Sequence, residues 1–175
     1  MALVLVKEDG TGKADANAYA DAAQGDAFHE GHLYATAWTA ATAGNKAAAL
    51  VMATRVIDSM YRFNGTKATA AQALQWPRED CPDPDAAAGE LVADDDVPAA
   101  MVAATCELAR ELLIVDRTAA PPGEGVLTQH NADFTETVYS KPDTRPMVPR
   151  LVQAMLAPYG AYTGGGSSTV KLTRV

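Results

Sequence analysis

"NKAAALVMATRVIDSMY", from Asn45 to Tyr61, is the stretch of sequence that decides the fold. Its larger apolar residues recur at the spacing of one helical face and then widen beyond that face, which predicts a long amphipathic helix. The face consists of Leu50, Ala53, Ile57 and Met60 or Tyr61, and the residues that widen it are Val51, Met52 and Val56. A helix this apolar needs packing partners on two sides, which either its own fold or a neighbouring subunit must supply.

Further elements are predicted outward from this helix. Asp15 and Asn17 are the expected N-caps of a preceding helix, and Pro98 suits the first turn of a following one. A run rich in Thr, Val and aromatic residues after position 125 favours a strand pair or an extended arm. The predicted helices cover about 18–32, 98–117 and 149–157, and the predicted β-type segments cover 2–6 and 121–145.

Composition favours close-packed helices with few large anchors. The 175-residue chain is 48% hydrophobic, much of it alanine, and only 6% aromatic. The expected core anchors are Phe28, Trp38, Tyr61, Phe63 and Trp76. The predicted fold class is therefore mainly α: a compact helical bundle with a short β-like arm or hairpin and an extended C-terminal tail. The expected divisions are a helical core with an N-terminal β-like segment (1–120), a β-like arm (121–145), a short C-terminal helix (146–160) and a flexible linker with a tail (161–175).

The charge distribution disfavours phosphate binding. The chain has 14 basic and 22 acidic residues, a formal net charge of −8. From Glu79 to Asp96 there are eight acidic residues and no basic residue. Affinity for nucleic acid comes largely from clustered Lys and Arg, and this sequence shows no such cluster.

Catalytic and metal-binding patterns are not found in the sequence. "HEGH", His29 to His32, lacks the spacing of a zinc-protease helix, so surface or interface histidines are expected. The triplet Asp94 to Asp96 is explained by helix capping and solvation. Cys81 and Cys106 form no disulfide framework. We therefore expect no enzyme, no cofactor and no metal site.

The start of the chain has too short an apolar run for a signal peptide and no basic leader. No run approaches the roughly 20 apolar residues that span a bilayer. We therefore expect a protein that is made and kept in a cytosol-like compartment and that has no membrane partner.

"QALQWPR", Gln72 to Arg78, allows two interpretations. Trp76 beside Arg78 could form a stacking platform for a single nucleic-acid strand. Alternatively, Trp76 closes the helical core, Pro77 turns the chain away and Arg78 pairs with a local acid. The run of acids that follows favours the second interpretation, because it would repel a nucleic-acid strand.

Several motifs, taken in order, resemble one known family. They are "EDGTG", "ADANAYAD", "DAFH", "AALVMATRVID", "YRFNGTKAT", "QALQWPR" and "VPAAMVAATCELARELL". Together they are similar to tailed-phage proteins labelled DnaT-like single-stranded-DNA-binding proteins, which look like head-to-tail connector adaptors. The most specific of these motifs is "QALQWPR", and in the family signature Trp76, Pro77 and Arg78 are structural residues.

The resemblance implies a structural adaptor of the virion neck, made in the bacterial host cytoplasm and located at the head-tail interface. It implies a homo-oligomeric, dodecameric ring that binds the portal protein on one side and a downstream neck or tail protein on the other. Duplex DNA would pass through the ring without specific binding. The implied portal-docking residues are Val170, Lys171, Leu172, Thr173, Arg174 and Val175.

Two alternatives to the adaptor remain open at this point. One is a single-stranded-DNA-binding replication accessory protein, and the other is an assembly chaperone or scaffold that is absent from the virion. For the tail itself, the alternatives are strand addition to another protein and a disordered terminus.

Overall fold

The computed structural model describes residues 3–119 and 146–164, together with the backbone of 126–131 and 134–139. The helices in these ranges are α1 (Ala22–Glu30), α2 (Thr36–Thr39), α3 (Ala43–Met60), α4 (Ala99–Ile114) and α5 (Arg150–Leu156). The strands are β1 (Tyr61–Phe63), β2 (Thr66–Lys67), β3 (Arg78–Glu79), β4 (Val126–Asn131), β5 (Phe134–Tyr139) and β6 (Gly160–Tyr162). No helix in the described ranges combines the length and apolar character needed to cross a bilayer.

Helix α3 is the predicted central helix, and the rest of the subunit packs around it. The hydroxyl of Thr42 caps its N-terminus by accepting from the N–H of Asn45 at 3.2 Å. At Tyr61 the backbone becomes extended and continues as β1, which pairs antiparallel with β6. α3 packs against α4, and α4 against α5, so that the widest apolar stripe lies inside.

Helix α1 begins later than predicted. Its N-cap is Asp21, whose side chain accepts from the N–H of Gln24 while the Gln24 side chain accepts from the N–H of Asp21. Asn17, an expected N-cap, has a different role: its amide accepts from the N–H of Val6 and donates to the carbonyl of Val4. Of the strand predicted at 2–6, the described residues 3–6 form no regular strand. They are bound by the Asn17 side chain and by the N–H of Asn17, which donates to the carbonyl of Val6 at 2.8 Å, and next to them Lys7 bridges Ala18.

The prediction of a compact helical bundle is wrong. Three two-stranded antiparallel sheets occur in the described ranges, namely β1 with β6, β2 with β3, and β4 with β5. Long irregular segments also supply fully buried core residues, including Tyr19, Trp76 and Cys81. Alanine-rich helices offer too little side-chain volume to fill the interior, so non-helical chain with large side chains completes the core.

The β-like arm predicted at 121–145 contains the β4–β5 hairpin, whose register runs from Val126 opposite Tyr139 to Asn131 opposite Phe134. The linker and tail predicted at 161–175 begin with β6, and residues 165–175 lie outside the described residues. Four of the five expected anchors are buried, namely Trp38, Tyr61, Phe63 and Trp76, while Phe28 is half-buried.

Trp38 lies directly against α1 at a position where only glycine fits. A Cβ at Gly25 would lie 2.6 Å from Cη2 of the Trp38 ring and closer still to Cζ2. The ring is 1% exposed, and its Nε1 donates to Asp26 at 2.8 Å. Gly25 therefore sets the distance between α1 and the indole.

We predict that Gly25→Ala destabilises the protein by about 1 to 3 kcal/mol, because the added methyl group must displace a fully packed ring. Gly44→Ala is the matched control: it also lies in a helix, a Cβ there meets nothing within 4 Å, and it should stabilise by up to about 1 kcal/mol. Urea unfolding followed by circular dichroism measures both. Equal stability of the two variants would contradict the close packing of Trp38 on Gly25.

Candidate functional site

The signature turn, residues 72–78, lies inside the subunit. Trp76 is fully buried, and its ring meets the edges of Phe63 and Tyr159 at centroid distances of 5.8 and 5.9 Å. A cis peptide bond joins Trp76 to Pro77. Since neither face of the indole is open to solvent, it offers no stacking surface to a nucleic-acid base.

Two groups from distant parts of the chain bind the backbone of this turn. The Tyr19 hydroxyl donates to Oδ1 of Asp58 at 2.6 Å and accepts from the N–H groups of Gln75 and Trp76 at 3.0 and 3.2 Å. The N–H of Gln75 also donates to Oδ2 of Asp58 at 3.1 Å. Burial raises the pKa of Asp58 to about 6 and raises the pKa of Tyr19 as well.

Arg78 binds backbone carbonyl oxygens instead of the acid that was expected as its partner. Its Nε donates to the carbonyl of Asn64 at 2.6 Å, and its Nη2 to that of Gly65 at 2.6 Å. Its Nη1 donates to the carbonyl of Gln75 at 3.0 Å. Arg78 is 7% exposed, and burial lowers its pKa. The guanidinium is thus occupied within the subunit and is not available to phosphate.

Gln72 completes the turn. Its Nε2 donates to the carbonyls of Leu74 and Pro77 at 3.0 and 2.9 Å, and its Oε1 accepts from the N–H of Thr69 at 2.8 Å. Trp76, Pro77 and Arg78 are therefore held together as one buried unit, to which Tyr19, Asp58 and Gln72 contribute.

The histidines of "HEGH" lie at the junction of α1 and α4. His29 was expected at a surface or interface, but it is 2% exposed, with Nε2 at 3.2 Å from the carbonyl oxygen of Cys106. Burial lowers the pKa of His29, which favours the neutral ring. His32 is half-buried, and its Nε2 lies 3.5 Å from Oε2 of Glu107. The other carboxylate oxygen of Glu107, Oε1, accepts from Arg110 at 2.7 Å.

Neither cysteine thiol of the chain is activated as a nucleophile. Burial raises the pKa of the Cys106 thiol to about 12, and it also raises that of Cys81. Among the described residues, no three His, Cys, Asp or Glu side chains come together as a metal-binding group.

The acidic segment from Glu79 to Asp96 lies on the surface. Seven of its eight acids are exposed, and Asp83 is half-buried. Asp94, Asp95 and Asp96 precede α4, but the N-cap itself is Pro98. The segment therefore presents repeated negative charge to the solvent.

Apolar side chains are exposed on two parts of the surface. On the loop between α1 and α2, Leu33 and Tyr34 are 91% and 75% exposed. The Tyr34 carbonyl lies 3.5 Å from Nη1 of Arg110, one helical turn from the exposed Ile114. A second region, which we call the α3 groove, is a cavity of about 660 Å³ along one side of α3. It is lined by Leu3, Ala48, Val51, Met52, Arg55, Val56, Ser59, Met60, Thr118 and Met147.

Sequence reasoning missed Tyr19, Asp58 and Gln72. The only available signal was that Tyr19 and Asp58 lie within or beside apolar helical patterns, where a polar group requires a partner. The predicted portal-docking residues, Val170 to Val175, lie outside the described residues.

A family model described as "Putative DnaT-like ssDNA binding protein" matches the whole chain, residues 1–175. The chain belongs to this DnaT-like family. No curated protein and no solved structure shows significant similarity to this chain. The comparisons give no indication of a phage head-to-tail connector.

We predict that Arg78→Lys destabilises the protein by about 2 to 4 kcal/mol. A lysine ammonium cannot reproduce the fork of donors, so carbonyls of the turn lose their partners, and each charged hydrogen bond is worth about 1.5 to 3 kcal/mol. Arg62→Lys, at an exposed position, is the matched control and should change stability by less than about 0.5 kcal/mol. Chemical denaturation measures both, and an unchanged midpoint for Arg78→Lys would refute this role.

We predict that Asp58 makes stability fall as pH rises from about 4 to about 6. Its folded pKa of about 6 exceeds the usual 3.8, so in this range the folded state binds more protons than the unfolded state. The contribution is present below pH 4 and is lost as pH rises through 6. Relative to Asp58→Asn, the wild type should lose about 1 to 3 kcal/mol between pH 4 and 7.

The measurement is the free energy of unfolding at several pH values, taken from urea titrations. Glu30→Gln, at an exposed position, controls for loss of one negative charge. Parallel pH profiles for wild type and Asp58→Asn would show that the burial of Asp58 has no energetic consequence.

Proposed function

We propose that this chain is a non-enzymatic structural adaptor of a tailed-phage neck. It would assemble as a ring that joins the portal to the downstream neck or tail protein and leaves a channel for DNA. The observation that carries the proposal is the exposed apolar pair Leu33 and Tyr34. The signature turn elsewhere in the subunit is buried and offers no site for a ligand.

Exposed apolar pairs of this kind support an assembling subunit. Soluble monomers rarely present contiguous large apolar side chains, and such patches usually mark protein interfaces. Leu33 and Tyr34 lie at the tip of a loop, and Ile114 and Val115 are exposed at the end of α4. Tyrosine combines contact area with a polar tip, which suits the centre of an interface.

The charge of the subunit supports a channel better than a DNA-binding surface. Seven exposed acids between Glu79 and Asp96 would be repeated in every subunit of a ring. Duplex DNA is repelled by negative surfaces, so it can pass without binding to them.

We predict that the full chain binds the portal protein of the phage that encodes it, and that deletion of residues 164–175 abolishes this binding. Pull-down and native mass spectrometry measure the complex, and far-UV circular dichroism checks that the shortened chain keeps its helices. A full chain that does not bind the portal contradicts the adaptor proposal. Unchanged binding by the shortened chain contradicts only the role of Val170 to Val175.

A second candidate is single-stranded-DNA binding in replication, and the description of the matched family supports it more directly than it supports the adaptor. Because Trp76 and Arg78 are buried, the binding groups would have to lie elsewhere. Arg55 and Arg62 are exposed and form no ion pair within the part of the chain that the structure describes.

A DNA-binding assay on the same purified protein distinguishes the adaptor from the DNA-binding candidate. Fluorescence anisotropy with labelled oligo(dT) at low salt should show no binding at micromolar protein if the adaptor proposal holds. Binding that is lost in the double variant Arg55→Glu/Arg62→Glu, and kept in Lys7→Glu/Lys13→Glu, would favour the DNA-binding candidate.

A further inference from the structure

We propose that the α3 groove is the binding site for residues 169–175 of the same chain, the segment "TVKLTRV". This inference is independent of the proposed function, since it concerns the free subunit. It rests on the apolar lining of the groove and on the position from which the segment leaves the described structure.

The groove is apolar over most of its length. Its floor is formed by Val51 and Val56, which are 3% and 6% exposed, and the half-buried Met52, Met60 and Met147 lie along it. Methionine side chains adapt their shape to varied aliphatic partners. An unoccupied groove of this kind would leave a large apolar surface in contact with water.

The described part of the C-terminal segment ends beside one end of the groove. Thr163 is bound to the carbonyl of Met60 twice, by its N–H at 2.8 Å and by its hydroxyl at 3.0 Å. Gly164 lies against the Met60 sulfur and the Tyr162 hydroxyl, so little room is left for a side chain there. The residues that follow therefore start beside Met60, which is itself part of the groove.

The linker length matches the groove. Along α3, Met52 lies about 12 Å from Met60, and Ala48 lies about 18 Å from it. The Gly/Ser sequence that follows Gly164, residues 165–168, has a root-mean-square span of roughly 11 Å. Val170 and Leu172, which alternate with polar residues, can thus reach the apolar floor near Met52.

Local concentration favours the segment of the same chain over a segment from a second copy. A short linker whose span matches the distance to its site gives an effective concentration in the millimolar range. A second copy at micromolar concentration would be at a disadvantage on the order of a thousandfold. A portal that takes up the same segment would have to displace it from the groove.

Disulfide trapping in the full chain tests this proposal. Ala48→Cys, at the far end of the groove, is combined with Arg174→Cys, on the same face of the tail as Val170 and Leu172. The native Cys81 and Cys106 are fully buried and do not compete. We expect a disulfide within the monomer, seen as faster migration on a non-reducing gel and as a linked peptide by mass spectrometry.

The matched control adds Val170→Ser and Leu172→Ser to the same cysteine pair. Linker length and reach are then unchanged and only the apolar side chains are lost, so the rate of disulfide formation should fall by about tenfold. Equal rates of disulfide formation with and without Val170 and Leu172 would overturn the proposal. They would show that the two cysteines meet only through random motion of a tethered chain. Disulfide-linked dimers would also overturn it, in favour of a second copy in the groove.

Discussion

The guanidinium of Arg78 is the interaction on which the irregular half of this fold depends. Between β1 and α4 the chain runs for more than thirty residues with only two short strands, so most of its backbone groups lack the partners that a helix or a wide sheet would supply. Arg78 binds the carbonyl oxygens of Asn64 and Gly65, at the start of this segment, and that of Gln75 within it. The Tyr19–Asp58 pair binds N–H groups of the same segment. Buried polar side chains thus supply the hydrogen-bond partners that regular secondary structure would otherwise give to these backbone groups.

The same principle recurs at the N-terminus. Glu8, which is 1% exposed, accepts from the N–H groups of Gly10, Gly12 and Lys13 at 2.8 to 3.0 Å. Asn17 binds two backbone groups of the neighbouring segment, the N–H of Val6 and the carbonyl of Val4. At both places an acidic or amide side chain is the partner of backbone groups, which explains how chain without regular secondary structure is satisfied inside the subunit.

Sequence patterns predicted α1, α3, α4 and α5 because their signals are local, but they did not predict the single turn of α2. The spacing of Leu50 and Ile57 indicated α3, and Pro98 and Pro149 indicated the starts of α4 and α5 to within a residue or two. Arg78 was expected to bind an acid because a sequence displays side chains but not the carbonyls that accept in the fold. Tyr19 and Asp58 were missed because they are 39 residues apart, and the fold class was wrong because core residues of irregular segments carry no periodicity.

Carbonyl acceptors have a consequence for how such a sequence can evolve. A carbonyl group is present whatever side chain a residue carries, so the bond from Arg78 to the exposed Asn64 makes no demand on the asparagine side chain. Gly65 is restricted for a reason of its own, because its φ is +69° and a Cβ there would clash with the carbonyl oxygen of Glu79. The side chain at position 64 can therefore change without loss of these hydrogen bonds, whereas replacement of Arg78 removes all of them at once.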